Sequence, residues 1–216
     1  MKNRSNKVTA KQVKLAREVI VDPVLFARRV LGVQLSKSQA EILRSIKTHR
    51  KTAIKACHGV GKTFVLAVAT LWWLARYKDG IVLTTSATFR QVETQIWSEL
   101  RRLVANAQIP YPELNKTELK LRGDDNFALG LSTNQAEHFQ GYHGKHVLII
   151  ADEAPGVNSL LKNRTRAVVA TNGICPARES LKPSIRRSNA RTDAPQRKSN
   201  SFGSGELDLT TQASSK

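Results

Sequence analysis

The run Ala56-Cys57-His58-Gly59-Val60-Gly61-Lys62-Thr63 lies between a short apolar stretch, residues 52–56, and a long apolar-periodic one, residues 64–77. Strand, tight loop and helix in that order commit the chain to an α/β layer built around the loop. The loop reads as a P-loop, with Ala56 where the first glycine of the pattern usually stands. Gly59 and Gly61 let the backbone curl so that successive N–H groups converge on phosphate oxygens. The positive end of the following helix faces the same oxygens. Lys62 reaches the β- and γ-phosphates, and the Thr63 hydroxyl suits Mg²⁺. Together, Ala56, Cys57, His58, Gly59, Val60, Gly61, Lys62 and Thr63 form the expected ATP-binding segment. The bland alternative is an ordinary glycine-containing turn.

A second feature argues against that alternative. Residues 147–151, VLIIA, make a buried β-branched run that ends in Asp152-Glu153. Carboxylates at the C-terminal tip of a parallel strand stand where open α/β sheets bind ligands. Asp152 is expected to hold Mg²⁺, directly or through water. Glu153 is expected to polarise the attacking water as general base. A helix N-cap followed by a first-turn acid would give the same two letters.

With 216 residues, the chain fits one domain with a possible tail. A formal net charge of +18 favours a polyanionic partner, most simply nucleic acid. No apolar run is long enough to span a membrane, and no signal peptide is evident. The chain is therefore expected in a cytoplasm. Two cysteines, Cys57 and Cys175, make neither a disulfide framework nor a zinc site. Cys57 is read as a small residue that fits the loop.

Residues 10–21 carry apolar positions at helical spacing, and Asp22-Pro23 opens a second helix. A third helix begins at Ser36-Lys37-Ser38-Gln39. Gln39 closes a capping box with Ser36. It also stands upstream of the P-loop, where helicase-like ATPases place a glutamine that reads adenine. Trp72 and Trp73 are expected in the core. Residues 81–85 form a strand. Thr88 caps a helix whose buried stripe is Phe89, Val92, Ile96, Leu100, Leu103 and Val104. Arg90, Arg101 and Arg102 lie off that stripe, on a solvated face or facing DNA. Residues 118–122 and 126–131 read as a hairpin. His138, His143 and His146 lack a convincing metal spacing and read as loop polars.

In their order along the chain, these features resemble the N-terminal ATPase portion of a tailed-phage terminase large subunit. The residues that carry the likeness are Asp22-Pro23 with the 35–46 helix, the 55–63 loop, and the 84–92 and 96–100 segments. The last of them are residues 139–143 and the acidic 147–156 stretch. The resemblance covers roughly residues 8–157. It implies a P-loop NTPase of ASCE type: a mostly parallel sheet flanked by helices, with the P-loop strand beside the acidic strand. It implies Mg²⁺-dependent ATP hydrolysis coupled to packaging of double-stranded DNA. By residue match, Gln39 becomes a candidate adenine contact. The resemblance also implies a ring of like subunits, a small terminase subunit, a portal, and a bacterial host cytoplasm.

The resemblance further divides the chain into a helical lead-in (1–50), a P-loop core (51–157) and a divergent basic tail (158–216). After residue 157 large apolar residues thin out, and the tail reads as disordered. The sheet is expected to be incomplete on that side. Residues 167–172 are the only candidate for the family's next strand, which ends in a small polar motif coupling hydrolysis to motion. No nuclease domain is expected, and the chain reads as a truncated motor. Relatives carry a transition-state arginine in the P-loop or just before the acidic strand. Here those places hold Cys57-His58 and Gln140-Gly141, which leaves Arg90, Arg101 or a neighbouring subunit. Two alternatives follow: a non-hydrolysing, nucleotide-dependent DNA-binding module, or another P-loop nucleic-acid ATPase.

Overall fold

The computed structural model describes residues 10–112, 114–132, 141–153, 166–172 and 184–188. Three helices lead in: α1 (Ala10–Val21), α2 (Pro23–Arg29) and α3 (Lys37–Thr48). Each boundary has a local cause. Asp22 Oδ1 accepts from the Val24 and Leu25 amides, and Pro23 occupies the first turn of α2. Ser36 and Gln39 complete the expected capping box on α3.

Then come β1 (Lys51–Ala56), α4 (Lys62–Arg76), β2 (Gly80–Ser86), α5 (Phe89–Thr94) and α6 (Ile96–Ala105). The chain continues through β3 (Glu118–Lys120), β4 (Phe127–Ser132), β5 (His146–Asp152), β6 (Arg166–Asn172) and β7 (Ser184–Ser188). One seven-stranded sheet runs β3-β4-β2-β5-β6-β1-β7. β4, β2, β5, β6 and β1 are mutually parallel, and the two edge strands run antiparallel. This is the expected mostly parallel sheet, with the 118–131 hairpin at one edge.

The expected neighbourhood of the P-loop strand needs correction. β1 does not lie beside the acidic strand β5. β6 separates them, with Asp152 opposite Ala170 and Ala56 opposite Asn172. β6 belongs to the stretch read as tail, yet its centre, Ala167-Val168-Val169-Ala170, is small and β-branched. Ala167, Val168 and Ala170 are buried. Narrow side chains fit an interior strand covered on both faces.

α4 explains most of the core. From Val65 to Leu74 every residue is buried, including both tryptophans. Leu148, Ile150, Val168, Ala170, Val82 and Ile54 face it from the sheet. The Trp72 Nε1–H donates to Ile20 O, which ties α1 to α4. A smaller apolar cluster of Ile81, Leu83, Leu131 and Ile149 lies on the other face.

The 88–104 helix is also corrected. It breaks at Gln95, at φ −100° and ψ −83°, into α5 and α6. The stripe is buried from Val92 through Leu103, but Phe89 is 45% exposed at the start of α5. A bend between the two segments lets α6 follow α4 and leaves Phe89 out.

Candidate functional site

The site lies at the C-terminal ends of β1, β5 and β6. Gly59 and Gly61 both stand at φ +78°, the left-handed backbone that the tight loop requires. Asp22, Ser36 and Thr88 cap α2, α3 and α5 with side chains, whereas Gly61 offers α4 none. The N-terminal end of α4 therefore has no capping side chain from Gly61, and its amides would suit a phosphate.

Lys62 is 7% exposed. Its ammonium donates to the carbonyls of Ala56 at 3.1 Å and Cys57 at 2.9 Å. These bonds hold the cation inside the curl of the loop. The Thr63 hydroxyl donates to Asp152 Oδ2 at 3.0 Å. This contact joins the P-loop helix to the acidic strand across β6. Asp152 is 2% exposed. Burial pushes its carboxyl above the ordinary value. The Thr63 bond and Lys62 oppose that shift, and Glu153 reinforces it.

Glu153 has φ +54°, the one positive φ of a non-glycine among the described residues. Its amide donates to Ala170 O at 2.9 Å. A left-handed glutamate costs on the order of 1–2 kcal/mol, and the amide bond to β6 helps to offset it. Asp152 and Glu153 thus leave the strand in different directions.

Gln39 takes its expected place in the cap, and its side chain also reaches the P-loop. Its Oε1 accepts from the Ser36 amide at 3.0 Å, which completes the cap. Its Nε2 donates to Val60 O at 3.3 Å, inside the P-loop. A Cβ on Gly61 would come within 2.6 Å of that same nitrogen. The amide is thus oriented by the cap and props the loop.

The two ends of the loop differ in setting. Ala56 is buried, Cys57 is a half-buried free thiol, and His58 is exposed. Sequence reasoning missed Ser86, which pairs with Asp152 in register and is buried at the tip of β2. The polar end of the Thr84-Thr85-Ser86 run is its signal. Of the arginines, Arg101 donates to the carbonyls of Glu93 and Lys116. Arg102 pairs with Glu99 and lies over the Phe64 ring at 5.6 Å. Arg90 is exposed on α5. His138, Phe139, Gln140, Ala154, Pro155, Gly156 and Cys175 lie outside the described residues.

Mg²⁺ prefers oxygen donors and takes one or two carboxylates together with phosphate and water. A hydroxyl and a carboxylate 3.0 Å apart fit that preference. The raised carboxyl of Asp152 is also the expected mark of a buried acid that a cation would relieve.

No family model and no curated protein matches the chain. Solved structures do. The HK97 bacteriophage large terminase superposes on 72% of this chain and 37% of its own, with a TM-score of 0.53 at 12% identity. The ATPase domain of the Thermus phage P74-26 large terminase covers 78% and 71%, at 0.47 and 16%. The large terminase of a thermophilic bacteriophage, in complex with ADP, covers 64% and 38%, at 0.48 and 13%. Over the 37% of the HK97 protein that it matches, this chain therefore has the fold of a phage large terminase.

Proposed function

We propose that the chain binds and hydrolyses ATP as the motor portion of a phage large terminase that packages double-stranded DNA. The observation that carries the reading is the bond between Thr63 and Asp152, formed beside the buried Lys62. It brings the loop that would hold phosphate against the strand that would hold the cation. Such a pairing has a clear use in phosphoryl transfer and little use elsewhere.

In this reading Gln39 and residues 56–63 cradle the nucleotide. Thr63 and Asp152 would hold Mg²⁺, which supplies charge neutralisation at the transferring phosphate. Lys62 leaves the Ala56 and Cys57 carbonyls for phosphate oxygens. Glu153 accepts the proton of the attacking water at its carboxylate. β6 ends in Thr171-Asn172 beside Ala56, one strand from Asp152. It is the place where hydrolysis could be felt by the rest of the chain. Double-stranded DNA, a small terminase subunit, a portal and a ring of like subunits are the partners of this reading, and the bacterial host cytoplasm is its setting. The P-loop holds no arginine, and Arg101 is committed to two carbonyls. Turnover of the isolated chain is therefore expected to be weak until a neighbour supplies one.

That absence also favours a second reading, a module that binds nucleotide and DNA without turnover. Glu153→Ala separates the two. In a motor, the variant keeps ATP binding and loses phosphate release, while release by the wild type rises on addition of duplex DNA. A binder shows no Mg²⁺-dependent release to lose.

A further inference from the structure

The end of the sheet opposite the P-loop, where the parallel strands begin, carries a cluster that nucleotide chemistry does not use. Its centre is Arg166, the first residue of β6. The guanidinium donates to the carbonyls of Ile46 at 2.7 Å, Lys47 at 3.1 Å and His49, at the C-terminus of α3. It also lies over the Trp73 ring at 5.7 Å. The Trp73 Nε1–H donates to His146 O at 3.0 Å, and His146 stacks on Tyr77 with centroids 4.0 Å apart. Arg76 lies over the other partner of that stack, Tyr77, at 5.2 Å. His146 Nδ1 and Asp79 Oδ1 are 2.7 Å apart. This continuous set of contacts fixes the α3 C-terminus, the α4 C-terminus and the start of β5 as one surface.

The surface is one-sided in charge. Arg76 and Arg166 lie within it, Arg50 and Lys145 act on it electrostatically, and Lys47 and Lys78 stand at or just past the ends of α3 and α4; Asp79 is the carboxylate within the contact set. Basic residues at helix C-termini have an ordinary role, because the macrodipole favours them there. Magnitude decides against that role alone. The ends of α3 and α4 supply roughly half a negative charge each. With Asp79 they offset about two of the five positive charges of Lys47, Arg76, Lys78, Lys145 and Arg166, and leave a surplus of about three. Elsewhere, Arg102 has Glu99 and Lys120 has Glu118 and Asp124 as local acids. Lys47, Lys78 and Lys145 are exposed and free to approach a ligand. The carbonyls that would repel phosphate are already taken, those of α3 by Arg166 and those of Leu74 and Tyr77 by Asn126 Nδ2.

We propose that this face, at the N-terminal ends of the strands, binds the phosphate backbone of double-stranded DNA. The proposal deepens the packaging reading by naming the DNA-contacting surface, but its test needs no nucleotide. A face of exposed lysines on a rigid base suits sequence-independent contact, in which cations replace condensed counterions. It would also leave the ATP site free while DNA is bound.

The test uses the whole chain and a labelled duplex of arbitrary sequence, with anisotropy read over a salt series in nucleotide-free buffer. One variant carries Lys47→Glu, Lys78→Glu and Lys145→Glu. A control carries Lys14→Glu, Arg29→Glu and Arg122→Glu, also exposed, and changes net charge equally. Thermal melting and ATP affinity on both confirm the fold and the separate state of the nucleotide site. The expected result is a loss of about tenfold or more in the first variant, with the salt slope reduced by about 2–3, and less than about threefold in the control. Equal losses in the two variants would assign binding to overall charge or to another segment and overturn the proposal. So would unchanged binding in the first variant, or a preference for single strands over duplex.

Discussion

The two ends of the sheet use the same strands for opposite purposes. At the C-terminal ends, β5 and the start of α4 present buried charges, Asp152 and Lys62, bonded to Thr63 and to two loop carbonyls. At the N-terminal ends, Arg166, Trp73, Tyr77 and His146 interlock through several contacts, and Asp79 joins the set at His146. Helix direction accounts for part of this difference. α4 begins at the first end, where its amides favour anions, and finishes at the second, where its carbonyls favour cations. The rest lies in the kind of partner: a hydroxyl and loop carbonyls at the first end, an interlocked set of cation, aromatic rings and helix carbonyls at the second.

Perturbations at each end should therefore differ in kind. The largest effect is expected at the first end, in turnover. Glu153→Gln removes the proposed general base and should lower phosphate release by about 10²–10⁴-fold with ATP affinity kept. A comparable loss of affinity would instead make Glu153 a binding group.

The second end should answer in stability. Arg166→Ala leaves the α3 carbonyls without their charged donor. It should cost about 2–3 kcal/mol, or roughly 4–12 °C in melting temperature, with ATP affinity unchanged. A melting temperature within about a degree of wild type would show that the staple is dispensable.

A smaller effect should follow Gln39→Glu. It places a carboxylate oxygen against Val60 O and should weaken ATP and GTP alike, by about 5–10-fold each. A loss confined to ATP would mean that the amide reads adenine rather than props the loop.

The smallest change has the opposite sign. Asp152 has its folded-state pKa raised by burial, so its charge opposes folding above that value. Asp152→Asn should stabilise the Mg²⁺-free chain by about 1 kcal/mol, or ~2–4 °C, at neutral pH. The gain should vanish as pH falls below about 4, where the acid is neutral in both states. It should come with loss of Mg²⁺-dependent nucleotide binding. Destabilisation by the asparagine would show that Thr63 and Lys62 more than offset the burial.

Much of the first end could be read in the residues. The loop, its lysine and threonine, the acidic pair, and the caps at Asp22, Ser36 and Thr88 are local patterns, and local patterns carry local causes. The order of strands is another matter. Residues 167–172 stand out as a strand candidate, but that β6 enters between β5 and β1 depends on pairing across the whole chain. Gln39 posed two alternatives, a cap and an adenine contact, that the spacing could not separate; the fold shows the cap and adds a bond to the Val60 carbonyl that the spacing did not suggest. Arg166 gave no signal, because its partners are backbone carbonyls, which every sequence possesses. The break at Gln95 was likewise hidden beneath a continuous helical period.

The central claim is that the P-loop and the acidic strand form one hydrolytic site. Steady-state phosphate release with Mg²⁺ and ATP, measured on wild type, Lys62→Ala and Glu153→Gln beside ATP affinity for each, tests it most directly. The account predicts slow release by the wild type that both variants lose, with affinity lost only in Lys62→Ala. Release that persists in Glu153→Gln, or ATP affinity indifferent to Lys62, would contradict it.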